Sequence, residues 1–330
     1  MSVLMEIIEI ENLILKRLYE EAFKDYAEHK MFDLRAFASD QGIPPDLLEI
    51  AYEELNQKGF FDVAGSGMTV TPSIWALIYC EQEKLVDPGF VEKQDEIRKK
   101  ILEACFDIDE EKPLETGASS KEICSRSGVS TLDFQNNIEM LVHRNLVEQA
   151  GPLDLWKILP RGKDFVNDLR KKIRRQGEFK NLSKSPDGTP QERGHKLEDI
   201  LTEVIEDEGW EVKKRVRTET AEFDIVFNKA FDYFMVSCKW EKKAINASAV
   251  DVLAARAGEM GCTAGILVSM SGFTAGCLKA ALAKRSSHQV VLFGYKDIAD
   301  IFLSETRFTS LLDEKIRELK LRNRILVDGE

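Results

Sequence analysis

The sequence predicts a multidomain protein: two α+β units built alike, followed by an α/β domain whose mixed central sheet is flanked by helices. Two observations predict it. Before residue 176, a pattern of two short helices and two short strands occurs twice, 86 residues apart. After residue 193 the order becomes helix, hairpin, helix, strand, helix, strand. A stretch rich in Arg and Lys, then in Ser and Pro, lies between. The expected boundaries are 1–90 and 91–176 for the two units, 177–193 for a basic, flexible linker, 194–303 for the α/β domain and 304–330 for a C-terminal helical extension.

In the first unit, Asp33 to Asp40 predict a short helix broken at Gln41-Gly42-Ile43, and Pro44-Pro45-Asp46 opens a second with Leu47, Leu48, Ala51, Tyr52 and Leu55 apolar. Lys58-Gly59 stops that helix. Phe60 to Val63, the turn Ala64-Gly65-Ser66-Gly67 and Met68 to Thr71 then make strand, loop and strand. In the second unit Gly128-Val129 stands where Gly42-Ile43 stood, Leu141 for Leu55, Asn145-Leu146-Val147 for Gly59-Phe60-Phe61, and Leu155 to Ile158 near Met68-Thr69-Val70. Agreement at so many positions marks an internal repeat.

Both units resemble the winged helix-turn-helix family, and Leu159-Pro160-Arg161-Gly162-Lys163 opens a closing helix similar to that of many winged-helix regulators. That fold does not by itself imply DNA binding. The first unit's second helix carries Asp46, Glu49, Glu53 and Glu54, and its wing has no cation, so it reads as a protein-contact or dimerisation module. In the second unit Gln135, Asn136 and Asn137, with Arg126, His143 and Arg144 nearby, read either as groups reaching base edges or as a solvated polar face.

From Arg161 to Lys184 nine Arg and Lys stand against three acids. This reads as a basic helix end running into a flexible Ser183 to Pro190 linker. Arg170, Lys171, Lys172, Arg174 and Arg175 are expected to track the phosphates of double-stranded DNA. With a net charge of −12, any grip on nucleic acid has to be local.

In the α/β domain, a helix from His195 to Glu208 is expected to end at Gly209-Trp210. Two strands follow: Phe223 to Phe227, carrying Asp224, and Phe234 to Lys239, joined by a turn at Asn228-Lys229-Ala230. A buried Asp and a Lys are costly unless they face each other or a metal. Strand alternation puts Val236 and Cys238 toward the core and Ser237, Lys239 and Glu241 on the other face. A helix over Ala247 to Gly258, a strand over Ala264 to Met270, a helix capped by Ser271-Gly272-Phe273-Thr274 and a strand over Gln289 to Phe293 complete the sheet. Residues 296–327 read as polar amphipathic helices, a lid or the contact of a homodimer.

Gly194-His195-Lys196-Leu197-Glu198, Gly209-Trp210, Phe223-Asp224, Cys238-Lys239-Trp240 and Ser271-Gly272-Phe273-Thr274 resemble, in order and spacing, the Mrr-like branch of the PD-(D/E)xK restriction-endonuclease superfamily over residues 193–303. The resemblance implies a DNA endonuclease dependent on Mg²⁺ or Mn²⁺, in defence by modification-dependent restriction or in DNA processing. It implies Asp224 as metal ligand, Lys239 as the lysine that orients water or stabilises developing charge, and Glu198 as the helix-borne acid. The family usually has Glu, Asp or Gln two residues before the lysine; here Ser237 stands there. Glu241 is the nearest replacement and Glu222 another. The rival expectation is a nuclease fold that has lost a ligand and acts as a DNA-binding or regulatory protein; a third is a protein-interacting subunit.

Composition agrees with a soluble, cytoplasmic protein: 43% hydrophobic and 32% charged residues, no apolar run of membrane-spanning length and no basic signal region at the N-terminus. Six cysteines form no CxxC pair, so free thiols are expected, with neither zinc site nor disulfide.

Overall fold

Each element of the first repeat returns 86 residues later in the computed structural model. After α1 (Ser2–Ala22) come β1 (Phe32–Asp33), α2 (Leu34–Gln41), α3 (Pro45–Gln57), β2 (Phe61–Val63) and β3 (Thr69–Pro72). After α4 (Ile74–Gln82) and α5 (Pro88–Glu111) come β4 (Ala118–Ser119), α6 (Ser120–Ser127), α7 (Thr131–His143), β5 (Val147–Gln149) and β6 (Leu155–Ile158). The small antiparallel sheets have the same order, β1-β3-β2 and β4-β6-β5. The structure describes residues 2–23, 31–63, 68–112, 117–151, 153–184, 188–217, 222–229, 231–286, 288–304 and 306–326. The expected first wing, Ala64 to Gly67, lies outside them.

The repeat is chemical as well as geometric. Asp33 caps α2 by accepting the Arg35 N–H at 2.9 Å, and Ser119 caps α6 by accepting that of Glu122 at 3.2 Å. Both helices end on a left-handed glycine, Gly42 at φ 69° and Gly128 at φ 67°. Where the first repeat has Gly59 at φ 71°, the second has Asn145 at φ 55°, one of the few side chains enriched in that conformation.

A buried polar network joins the repeats and corrects the expectation for Asn137. Arg98 of α5, only 2% exposed, forks onto Glu81 of α4 at 2.7 and 3.1 Å. Its Nε donates to Asn137 Oδ1 at 2.9 Å, and Asn137 Nδ2 donates to Gln94 at 2.9 Å. The Tyr19 hydroxyl and Arg144 also donate to Glu81, at 2.8 and 3.1 Å. Asn137 is therefore fully buried and reads no base. Arg126 is paired with Glu111, and His143 meets the Trp75 ring edge-on at 4.3 Å. The reason is packing: α7 lies against α4 and α5, and its Met140 joins the first repeat's core. Gln135 and Asn136 remain half-buried on α7.

The chain divides into two compact units, Met1–Leu169 and Arg170–Glu330. The expected linker over 177–193 is instead mostly helical. Residues 177–184 continue α8 (Pro160–Lys184), and 190–193 open α9 (Pro190–Asp207), leaving a short connection of which 185–187 lie outside the described residues. The sequence looked like a linker because of its polarity, but Phe179 and Leu182 are buried in the core of the second unit. Thr189 and Glu192 form a reciprocal capping box that starts α9.

The second unit continues with β7 (Glu211–Arg217), β8 (Glu222–Lys229), β9 (Asp232–Lys239), α10 (Ala247–Glu259), β10 (Ala264–Ser269), α11 (Ala275–Ala283), β11 (Val290–Phe293), α12 (Tyr295–Leu303) and α13 (Phe308–Arg322). The sheet order is β11-β10-β9-β8-β7, with β9, β10 and β11 parallel and β7 and β8 antiparallel to their neighbours. On one face Ile225, Phe227, Val236 and Cys238 pack under α9, α12 and α13; on the other Met235, Leu267 and Leu292 pack under α10 and α11. The C-terminal extension expected as a lid or dimer contact belongs to the first of these cores, since Phe308 and Leu312 are fully buried there. Among the described residues no helix is long and apolar enough to cross a membrane.

The basic segment is paired within the second unit. Arg175, 9% exposed, pairs with Asp207 of α9 at 2.7 Å; Lys171 lies 3.7 Å from the same carboxylate. Arg174 binds Glu178 at 3.1 Å and also Glu203 of α9. None of Arg170, Lys171, Lys172, Arg174 and Arg175 is free. Counting charge along the chain hid the acids of α9 that this face of α8 meets.

Candidate active site

The site residues gather where β8 and β9 part. Their ladder runs from Lys229↔Asp232 to Ile225↔Val236 and stops, so Asp224 and Ser237, next in that register, are not paired by backbone bonds. The Asp224 carboxylate takes over: Oδ2 accepts the Cys238 backbone N–H at 3.1 Å. This holds a half-buried carboxylate where the two strands separate, with one oxygen committed.

Glu198 reaches the same place from α9. It is one turn from the buried Leu201 and itself only 6% exposed. Burial, and next the negative charge of Asp224, push its carboxyl above the usual carboxylate range; His195, whose Nδ1 lies 3.1 Å from Glu198 Oε2, pulls it back in part. The buried Cys238 thiol is pushed well up, first by burial and then by Glu198 and Asp224, with Lys239 acting in the opposite sense. The charges of Glu198, Asp224 and Lys239 thus all act on Cys238.

Alternation along β9 sends Cys238 into the α9 core and Ser237 and Lys239 to the other face, where with Glu241, Asn246 and Arg256 they line a cleft of about 400 Å³ beside α10. Glu241 is exposed beyond the end of β9, and among the described residues no group of three His, Cys, Asp or Glu gathers to hold a metal ion. The expected replacement of the missing acid by Glu241 is therefore not assembled: its strand ends at Lys239. The Glu222 side chain lies outside the described residues.

The turn after β10 secures this corner. Lys239 C=O accepts the Met270 N–H at 3.2 Å, the Ser271 hydroxyl donates to Lys243 C=O at 2.8 Å, and Ile245 exchanges backbone bonds with Gly272 and Thr274 at 2.9 Å each. The Ser271-Gly272-Phe273-Thr274 stretch therefore does two things: it pins the chain leaving Lys239, and Thr274 caps α11. Two neighbours were not legible from sequence. The Arg193 guanidinium lies 5.4 Å from the Trp240 ring centroid, and the positive charge of Arg215 acts on Glu198.

Residues 191–302 match the restriction endonuclease family Mrr_cat. The C-terminal domain is an Mrr-like, restriction-endonuclease-like domain. Two solved structures are distantly similar. One is the protein of unknown function AF1548, with 18% identity, a TM-score of 0.28 and coverage of 39% of this chain and 77% of that one. The other is Can2 from Sulfobacillus thermosulfidooxidans in complex with cyclic tetra-adenylate, with 11% identity, a TM-score of 0.23 and coverage of 78% and 70%. No curated protein matches the chain.

Proposed function

We propose that the Mrr-like domain hydrolyses phosphodiester bonds of double-stranded DNA with Mg²⁺ or Mn²⁺, in restriction of DNA or its processing in the cytoplasm. The observation that carries this reading is the mutual influence of the Glu198 and Asp224 carboxylates inside the matched segment, with Lys239 one residue beyond the Cys238 amide that Asp224 accepts. The donor set suits Mg²⁺, which binds through one or two carboxylates and keeps several waters for itself and for substrate phosphate. Glu198 and Asp224 also repel each other in a partly dry site, a cost that a divalent cation relieves. Such an ion supplies Lewis-acid polarisation and a more acidic water.

The chain's own residues do the rest. Asp224 is oriented by the Cys238 amide and Glu198 by His195, so the two hold their carboxylates without searching rotamers. Lys239 lines the cleft, and its ammonium would stabilise negative charge growing on a phosphate oxygen there. The repeats before it follow the element order of winged-helix units, and the inward-turned α7 favours protein contact over base reading for them.

Ser237 and the two-carboxylate donor set favour a second reading, a domain that binds DNA without cutting it. Incubating the full chain with supercoiled and linear duplex DNA in Mn²⁺ separates the two. Cleavage lost in Asp224→Asn and Lys239→Ala supports the nuclease, whereas an inert wild type that still binds duplex leaves the second reading.

A further inference from the structure

Strand β7 carries a residue whose backbone has no ordinary place in a sheet. Its register with β8 runs through Lys213↔Val226 and Lys214↔Ile225, omits one pair, and resumes at Val216↔Phe223 and Arg217↔Glu222. The omitted pair is Arg215 and Asp224. Arg215 has φ 48°, in the left-handed region that glycine and asparagine occupy readily and a long side chain rarely does.

This one residue turns the strand over. Val212 packs into the α9 core, and Lys214 on the same side reaches Asp199 of α9 at 3.1 Å; two positions on, Val216 packs instead with the core under α10 and α11. Arg215, at the crossover, enters neither core and is exposed. Among the described residues no carboxylate forms an ion pair with it, although its charge reaches Glu198.

The position gives the cation a use. Asp224 is unpaired by ladder bonds on both sides, toward β7 by the gap at Arg215 and toward β9 by the end of the ladder. Lys239 stands on the β9 side of this gap and Arg215 on the β7 side. Because Ser237 replaces an acid, the corner holds two carboxylates and two cations, a balance that admits a phosphate anion more readily than three carboxylates would.

We propose that Arg215 is a phosphate-binding residue of this site, donating from its guanidinium to a non-bridging oxygen of the diester while Lys239 serves the β9 side. The proposal rests on the site receiving a nucleic-acid phosphate. An exposed guanidinium suits that task, since it stays charged and offers paired donors to phosphate oxygens.

The test uses the full chain, a fluorescent short duplex and anisotropy in EDTA, where no cleavage occurs. Arg215→Gly suits the backbone, so its melting temperature should equal or exceed that of wild type, while duplex affinity falls about tenfold and the slope of log K against log salt drops by about 0.9, one phosphate contact. Arg215→Asn, which also tolerates the left-handed backbone, should behave alike, and Arg215→Lys should keep the slope with intermediate affinity. Wild-type affinity and slope in a folded Arg215→Gly or Arg215→Asn would overturn the proposal, as would a wild type that binds no duplex. Failure of the nuclease reading looks different: a wild type inert in Mn²⁺ whose duplex binding still depends on Arg215 defeats cleavage and supports the phosphate contact.

Discussion

The carboxylate of Asp224 accepts the backbone N–H of Cys238 at 3.1 Å, standing in for a ladder bond where β8 and β9 separate. One side chain thus bridges the parting strands and supplies charge to the site, and two substitutions divide these roles. Asp224→Asn keeps an oxygen acceptor and loses the charge. It should abolish Mn²⁺ binding by calorimetry and metal-dependent cleavage while melting near wild type. Asp224→Ala also orphans the amide, and unfolding in urea should show an added loss of about 1–3 kcal/mol.

Glu198 makes stability fall with pH when metal is absent. Burial and Asp224 raise its carboxyl above 4.5, so the native state keeps a proton that the unfolded chain releases. The contribution is favourable below the ordinary carboxylate value and is lost as pH rises from there through the raised native one. In EDTA, urea midpoints of wild type should therefore decline over that window more than those of Glu198→Gln. Mn²⁺ should recover stability at neutral pH in wild type and not in the variant.

Arg98 should be essential to the repeat-bearing unit. Its removal leaves Glu81, which is 9% exposed, buried with fewer counter-charges and strips Asn137 of its donor. Arg98→Met should destabilise that unit by about 3–5 kcal/mol, and Arg98→Met with Glu81→Leu should recover much of the loss because no orphan charge remains. The measurement is urea unfolding followed at both units; an unaltered first transition would mean that Arg144 and Tyr19 satisfy Glu81 alone.

Much of this fold is legible in local sequence chemistry. Gly42 and Gly128 mark helix ends that need a left-handed residue, and the apolar alternation through Val236 and Cys238 gives the strand its inner face. Asp224 and Lys239 stand out because charge inside apolar strands requires a reason. The errors arose where the partner is distant in sequence. Asn137 looked free because Arg98 lies on another helix, and residues 177–184 looked like a linker because Phe179 and Leu182 are few among many charges. Arg215 carries no local signal, since its backbone conformation depends on the strand changing faces.

The ion pairs of α8 favour a structural role for cations that charge counting assigns to DNA. Arg174 and Arg175 are held by Glu178, Glu203 and Asp207, so their charge is already compensated. Arg174→Gln with Arg175→Gln should leave the salt slope of duplex binding unchanged. It should lower the melting temperature, chiefly through Arg175, whose near-complete burial leaves Asp207 without its close partner. A slope reduced by about 1.8, two phosphate contacts, would return both residues to the DNA interface.

Ser237 decides whether the site lacks a ligand or has settled without one. Its side chain lies on the Lys239 face of β9 and lines the cleft, and the register beyond Ile225↔Val236 puts its backbone next to Asp224. Ser237→Glu therefore adds a carboxylate at the corner that already holds two. If metal binding is limited by ligand charge, Mn²⁺ affinity measured by calorimetry should rise on the order of tenfold, about 1.4 kcal/mol, with cleavage rising in parallel. Glu241→Gln should leave both wild type and Ser237→Glu unchanged, because Glu241 stands exposed beyond the strand. Loss of activity in Glu241→Gln would instead mean that the loop after Lys239 folds onto the site when substrate binds. Weaker metal binding in Ser237→Glu would show that a third carboxylate, beside a raised Glu198, costs more in repulsion than it returns as a ligand.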